Sequence, residues 1–152
     1  MAADLLSNLI VIKSSKTSKE EVLQELSDAA IAAGYARPGY CQAILEREAK
    51  YPTGLHTPEI EVAVPHADAE WTIKPSLTIA ILKDPVTFDP MGGEGGLVSA
   101  ELVFMLTIED ASEHVDFLRA FSTLMEAPQV LIDFKNSGDP EPIIEIIRAR
   151  MR

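Results

Sequence analysis

Two stretches decide the fold: Ser76-Leu-Thr-Ile-Ala-Ile-Leu-Lys83 and Val98-Ser-Ala-Glu-Leu-Val-Phe-Met-Leu-Thr-Ile108. Both read as β-strands, and the turn-rich stretch from Asp89 to Gly96 separates them. Upstream, Val62-Ala63-Val64 reads as a brief strand ended by Pro65. The segment from Met1 to Ile12 closes on Leu9-Ile10-Val11-Ile12, a short buried strand. Helical signals lie between and beyond these runs. Thr17 or Ser18 caps a helix with Glu20 and Glu21 in the capping-box positions, and Gly34 stops it. Its inward stripe is Val22, Leu23, Leu26, Ala29, Ala30 and Ala33. Pro38 opens a second helix covering at least Tyr40 to Ala49, closed by Pro52 and Gly54. Asp110 with Glu113 starts another, running to about Glu126; Pro128 begins a further one, and Pro140 to Arg150 forms the last. Strands separated by helices predict an α/β sandwich, a mixed sheet flanked by helices, in one domain over residues 1–152.

Composition bounds the chemistry. The chain is 47% hydrophobic and 24% charged, which is the balance of a globular protein and not of a disordered one. Thirteen basic against 24 acidic residues give a net charge of −11. That excludes nucleic acid and anionic membrane as partners, because both need a positive face, and it favours a partner with a basic contact surface. The richest apolar run, Leu102 to Leu106, is far short of the roughly 18 residues of a membrane span. No secretory signal is visible, and the single cysteine, Cys41, fits a reducing cytoplasm.

The chain has three histidines: His56, His66 and His114. His66 follows Val-Ala-Val-Pro, where a strand leaves its sheet, and strand ends are where α/β folds place ligand sites. A hydrogen-bonded loop histidine is the alternative. His114 lies near the start of the helix capped by Asp110. It shares a face with Leu118, Phe121 and Met125, and so extends an apolar stripe at the end that favours an anion. Its alternative is a buried histidine bonded to a backbone carbonyl. Arg47 follows Tyr40 by seven residues and falls on the stripe of Tyr40, Ala43 and Ile44. A guanidinium there must be paired or must reach a pocket, and its fork of donors matches phosphate oxygens. An arginine favoured near a helix C-terminus, or paired with Glu46 or Glu61, is the alternative. His56, in a loop with Pro58, reads as exposed and incidental, and Cys41 as inert. His66-Ala-Asp68 is half a metal site without a second half, and Met91 to Gly96 lacks the lysine of a phosphate loop.

Glu46-Arg47-Glu48-Ala49, Tyr51-Pro52-Thr53-Gly54, Val62-Ala63-Val64-Pro65-His66-Ala67 and Glu113-His114 together resemble the EIIA domain of the fructose/mannitol class. That domain belongs to the bacterial phosphoenolpyruvate:sugar phosphotransferase system. The resemblance covers nearly the whole chain, and the Arg-Glu-Ala and Pro-Thr-Gly wording is similar to the galactitol-type branch. Pro58 and Glu59 depart from the mannitol branch. The resemblance implies a phosphocarrier, with His66 taking a phosphoryl group from the phosphohistidine of HPr and passing it to a cysteine of EIIB. It implies that Arg47 and His114 assist as catalytic residues, that Arg47 and Thr53 contact the phosphate, and that no metal or other cofactor is needed. Three other readings are a nitrogen- or potassium-linked regulatory relative, a non-catalytic interaction domain, and a metal-dependent hydrolase using His66 and Asp68.

Overall fold

In the computed structural model, which describes residues 2–151, the two deciding stretches form the centre of a five-stranded sheet. The strands are β1 (Leu9–Ser14), β2 (Gly54–Leu55), β3 (Glu61–Ala63), β4 (Ser76–Phe88) and β5 (Val98–Thr107). Their spatial order is β1-β4-β5-β3-β2. The β1–β4 and β3–β5 pairs are parallel, while β4–β5 and β2–β3 are antiparallel, so the sheet is mixed as the sequence predicts. The single-domain expectation over residues 1–152 takes in Met1 and Arg152, which lie outside the described residues.

Side chains alternate across a strand with a period of two, and here both faces are covered. Leu77, Ile79 and Ile81 of β4 and Leu102, Phe104 and Leu106 of β5 face one core. Against it pack α1 (Ala2–Ser7), α4 (Val115–Leu124), α5 (Pro128–Ser137) and α6 (Glu141–Met151). Ala80, Leu82, Val103 and Met105 face the other core, under α2 (Lys19–Ala32) and α3 (Tyr40–Lys50). Burial on both faces is why these strands read as nearly continuous apolar runs.

Several boundaries differ from the sequence reading. β4 runs on to Phe88 through Asp84-Pro85, because the register shifts between Ile81 and Val86. A bulge absorbs the proline, which has no N–H to give to the ladder. Ser18, and not Thr17, caps α2: its Oγ accepts from the Glu21 amide at 3.2 Å and donates to the Glu21 carboxylate at 3.1 Å. That helix ends at Ala32, which leaves Ala33 exposed and off the expected stripe. The segment begun by Asp110 opens as a 3₁₀ turn, Ala111–His114, before α4. Asp110 caps it by accepting from the Ser112 amide at 2.9 Å. The short strand β2 was not read from the sequence. It forms because Gly54 lets the backbone come close to Asp89 and Val98; a Cβ there would lie 2.6 Å from the Asp89 carbonyl oxygen.

Candidate functional site

Beyond β3 the chain passes through Val64 and a buried Pro65 and then pairs once more with β5, through a parallel bridge between His66 and Leu106. The Leu106 amide donates to the Pro65 carbonyl at 3.2 Å. On the other side of His66, the Ala67 amide donates to the Tyr40 hydroxyl at 3.4 Å, and that hydroxyl donates to the Leu106 carbonyl at 2.9 Å. The backbone around His66 is therefore fixed to the end of β5.

The His66 ring is half-buried. Burial holds its pKa below the ordinary histidine value, and the positive charge of Arg47 pushes it the same way. The Val64 carbonyl, 3.4 Å from Nδ1, and the Asp68 carboxylate act in the opposite direction. The ring is thus neutral at pH 7.

Arg47 comes from the last turn of α3. Its Nη1 donates to Asp68 Oδ1 at 2.7 Å, and its guanidinium lies 5.2 Å from the centre of the Tyr51 ring. The buried Nε–H has no hydrogen-bond partner among the described residues. The expected alternative partners are both occupied elsewhere. Glu46 accepts from Gln42, while Glu61 binds His56 and the Ser99 amide. Nor does Arg47 occupy the buried stripe of its helix; Tyr40, Cys41, Ile44 and Glu48 do.

Arg47 and His66 share an open cleft of about 340 Å³, which Asp68, Leu106, Glu109 and Leu118 also line. A wider groove adjoins it through Arg47 and Asp68 and runs past Lys50, Tyr51 and Trp71. The structure thus brings two of the four expected site residues to one cavity. His114 stands apart: it is 1% exposed and does not line the cleft, although Ala111 and Leu118 on either side of it do. Its burial matches the apolar stripe read from the sequence, since Phe121 and Met125 are buried with it.

Thr53 is also buried and is not among the residues that line the cleft. Its amide and hydroxyl donate to the Glu48 carboxylate at 2.9 and 2.8 Å. Desolvation raises the Glu48 pKa, and these two bonds oppose the rise. The pair ties the turn after α3 back onto the helix, next to Arg47.

Sequence reasoning missed Tyr40, Glu48 and Asp68 as parts of this arrangement. Tyr40, Ile44 and Glu48, spaced i, i+4, i+8, face inward together, but Arg47 at i+7 fits the same stripe, so spacing alone does not choose between Glu48 and Arg47. Asp68 carried no such signal, because its partner lies 21 residues away. Among the described residues, no group of three or more histidine, cysteine, aspartate or glutamate side chains is placed to hold a metal ion. His56 is not incidental, since it bonds Glu61 and the Gly96 carbonyl and fastens the glycine-rich turn to the β2–β3 hairpin. No helix among the described residues is long and apolar enough to cross a membrane.

A half-buried imidazole and a guanidinium line one cleft at a strand end of a mixed α/β sandwich, an arrangement chemically suited to an anion. Residues 5–150 match the family model described as phosphoenolpyruvate-dependent sugar phosphotransferase system, EIIA 2, and the chain belongs to that family. The fructose-specific EIIABC component of Bacillus subtilis (strain 168) is 28% identical over 147 residues, covering 94% of this chain and 22% of that protein. The chain therefore spans about a fifth of that relative's length. The galactitol-specific EIIA component of Escherichia coli (strain K12) is 24% identical over 117 residues, 77% of each chain. Among solved structures, the Escherichia coli mannitol enzyme IIA, in complex with phosphorylated enzyme IIB, superposes with a TM-score of 0.69 at 22% identity. The match covers 93% of this chain and 94% of that one. The family is thus that of EIIA components of a sugar phosphotransferase system, and the mannitol structure holds its enzyme IIA bound to phosphorylated enzyme IIB.

Proposed function

We propose that His66 is the phosphoryl acceptor of a sugar or sugar-alcohol phosphotransferase system, of the galactitol type, receiving its group from phospho-HPr and passing it to a cysteine of EIIB in the cytoplasm. The observation that carries this reading is the shared cleft, in which a neutral His66 faces Arg47. With its proton on Nδ1, directed at the Val64 carbonyl, the ring keeps the Nε2 lone pair for attack on phosphorus. The new N–P bond forms as the donor's N–P bond breaks, and that electron pair returns to the donor imidazole. In the second half, a thiolate attacks the same phosphorus and the pair returns to His66 Nε2. Both steps rest on positioning and charge stabilisation more than on covalent help from the protein.

Arg47 supplies that stabilisation by exchanging Asp68 for the phosphoryl oxygens, with the Nε–H as a donor not yet committed. Asp68 holds the guanidinium at the mouth of the cleft until the dianion arrives. Thr53 acts at one remove: through Glu48 it fixes the turn beside Arg47. His114 acts from behind the cleft wall, as support for the Ala111–Leu118 segment. The galactitol assignment draws on the Arg47-Glu48-Ala49 and Pro52-Thr53-Gly54 wording and on the galactitol-specific relative.

The test is incubation with phosphoenolpyruvate, enzyme I and HPr, followed by intact mass and peptide mapping. One acid-labile phosphoryl group on His66, absent from His66→Ala, is expected. The same yield from His66→Ala would end the proposal.

A further inference from the structure

A parallel pairing of His66 with Leu106 has two rungs, from the Leu106 amide to the Pro65 carbonyl and from the Ala67 amide to the Leu106 carbonyl. The first is present. At the second, the Ala67 N–H and the Leu106 carbonyl also share the Tyr40 hydroxyl, which accepts from the N–H at 3.4 Å and donates to the carbonyl at 2.9 Å. The hydroxyl thus braces the last rung before the chain leaves β5. Tyr40 is wholly buried and is also the first residue of α3. Arg47 lies seven residues on, two turns or about 10 Å along the same rigid helix. One side chain therefore ties together the helix that carries the guanidinium, the segment that carries the imidazole, and the strand end that lines the cleft between them. Burial pushes the phenol's ionisation well above its ordinary value, so the hydroxyl keeps its proton at any working pH.

We propose that Tyr40 is a positioning residue for phosphoryl transfer: its hydroxyl, bonded to both the Ala67 amide and the Leu106 carbonyl, sets where the His66 ring stands relative to Arg47. This rests on His66 being the phosphoryl acceptor. Tyr40 touches neither phosphate nor donor and acts only through the backbone. Without the hydroxyl, the rung loses its brace to α3, and the His66 segment is free to shift relative to the helix that carries Arg47. A misplacement on the order of 1 Å costs up to about 100-fold in rate.

The experiment compares the full-length chain with Tyr40→Phe, using phospho-HPr as donor and ¹⁵N-histidine NMR to titrate the His66 ring. The expected result is transfer slowed about ten-fold at saturating donor, an unchanged KM for phospho-HPr, and a His66 titration moved towards the ordinary histidine value. Transfer within two-fold of wild type with an unmoved titration would overturn the proposal, whatever the melting temperature. Hydrogen exchange on the unmodified protein serves if Tyr40→Phe does not fold. A protected Ala67 amide supports the brace, and one exchanging at the rate of an open loop refutes it. A wild-type chain that accepts no phosphoryl group removes the reading of His66 instead, and the ring titration still decides whether Tyr40 places it.

Discussion

Replacing Arg47 by lysine keeps the charge and removes the fork, which separates two roles the residue combines. Its contacts in the resting protein are modest. The ion pair with Asp68 joins side chains that are 31% and 65% exposed, so solvent screening leaves it about 0–1 kcal/mol. The approach to the Tyr51 ring at 5.2 Å adds about 0.5–1 kcal/mol. A chain of this size loses roughly 2–4 °C of melting temperature per kcal/mol, so Arg47→Lys should melt less than about 8 °C below wild type. The transfer reaction is another matter. A lysine ammonium has three donors but is a point charge without the planar fork, so it cannot present the two parallel N–H groups with which the guanidinium, once it leaves Asp68, meets the phosphoryl oxygens. Losing one charged hydrogen bond, about 1.5–3 kcal/mol, slows transfer roughly 10- to 150-fold. Rapid-quench measurement of phosphoryl uptake from phospho-HPr, paired with a melting curve, reads both quantities. A melting point far lower than this, with transfer within two-fold of wild type, would show that Arg47 serves the fold and not the phosphoryl group.

Three other outcomes follow from the geometry. His114→Ala empties a buried site, so it should lower the melting temperature while phosphorylation of His66 persists and onward transfer to EIIB slows; equal transfer rates would leave His114 a purely structural residue. Thr53→Val removes the hydroxyl donor from the buried Glu48 carboxylate and should cost about 1–3 kcal/mol in denaturant melts, with phosphoryl uptake at 25 °C retained; abolished uptake in a folded variant would place Thr53 in the site itself. The depressed His66 pKa means that the unfolded chain binds the extra proton first. Its contribution to stability is therefore full above about pH 6.5, the unfolded value, and is lost as the pH falls from there through the lower folded value. Arg47→Gln removes the second of the two causes of that depression, so NMR titration of the His66 ring should move up towards the ordinary value, and an unmoved titration would contradict the proximity of the two groups.

How much of this was legible in the chain follows from what each signal measures. The nearly continuous apolar runs Leu77 to Leu82 and Leu102 to Leu106, short and rich in branched residues, mark strands buried on both faces. Pro65 ends β3 for an equally local reason, and it leaves His66 at the strand's exit. The boundary of β4 was misread because a proline normally stops a strand, and only the partner strand shows that a bulge carries the pairing through.

The sequence alone settled where β1, β3, β4, β5 and the helices α2 to α6 lie, that His66 follows a strand end, and that His114 lies on an apolar stripe. These depend on periodicities of 2 and 3.6 residues and on the missing N–H of proline, all properties of neighbouring residues. The tertiary structure alone decided that Arg47 pairs with Asp68, that Thr53 serves Glu48, and that Tyr40 joins Ala67 to Leu106. Adjacent residues on a helix differ by about 100° in direction, so whether Arg47 or Glu48 faces inward depends on how the helix is rotated on the sheet. That rotation is set by contacts between segments far apart in the chain, which no local pattern records.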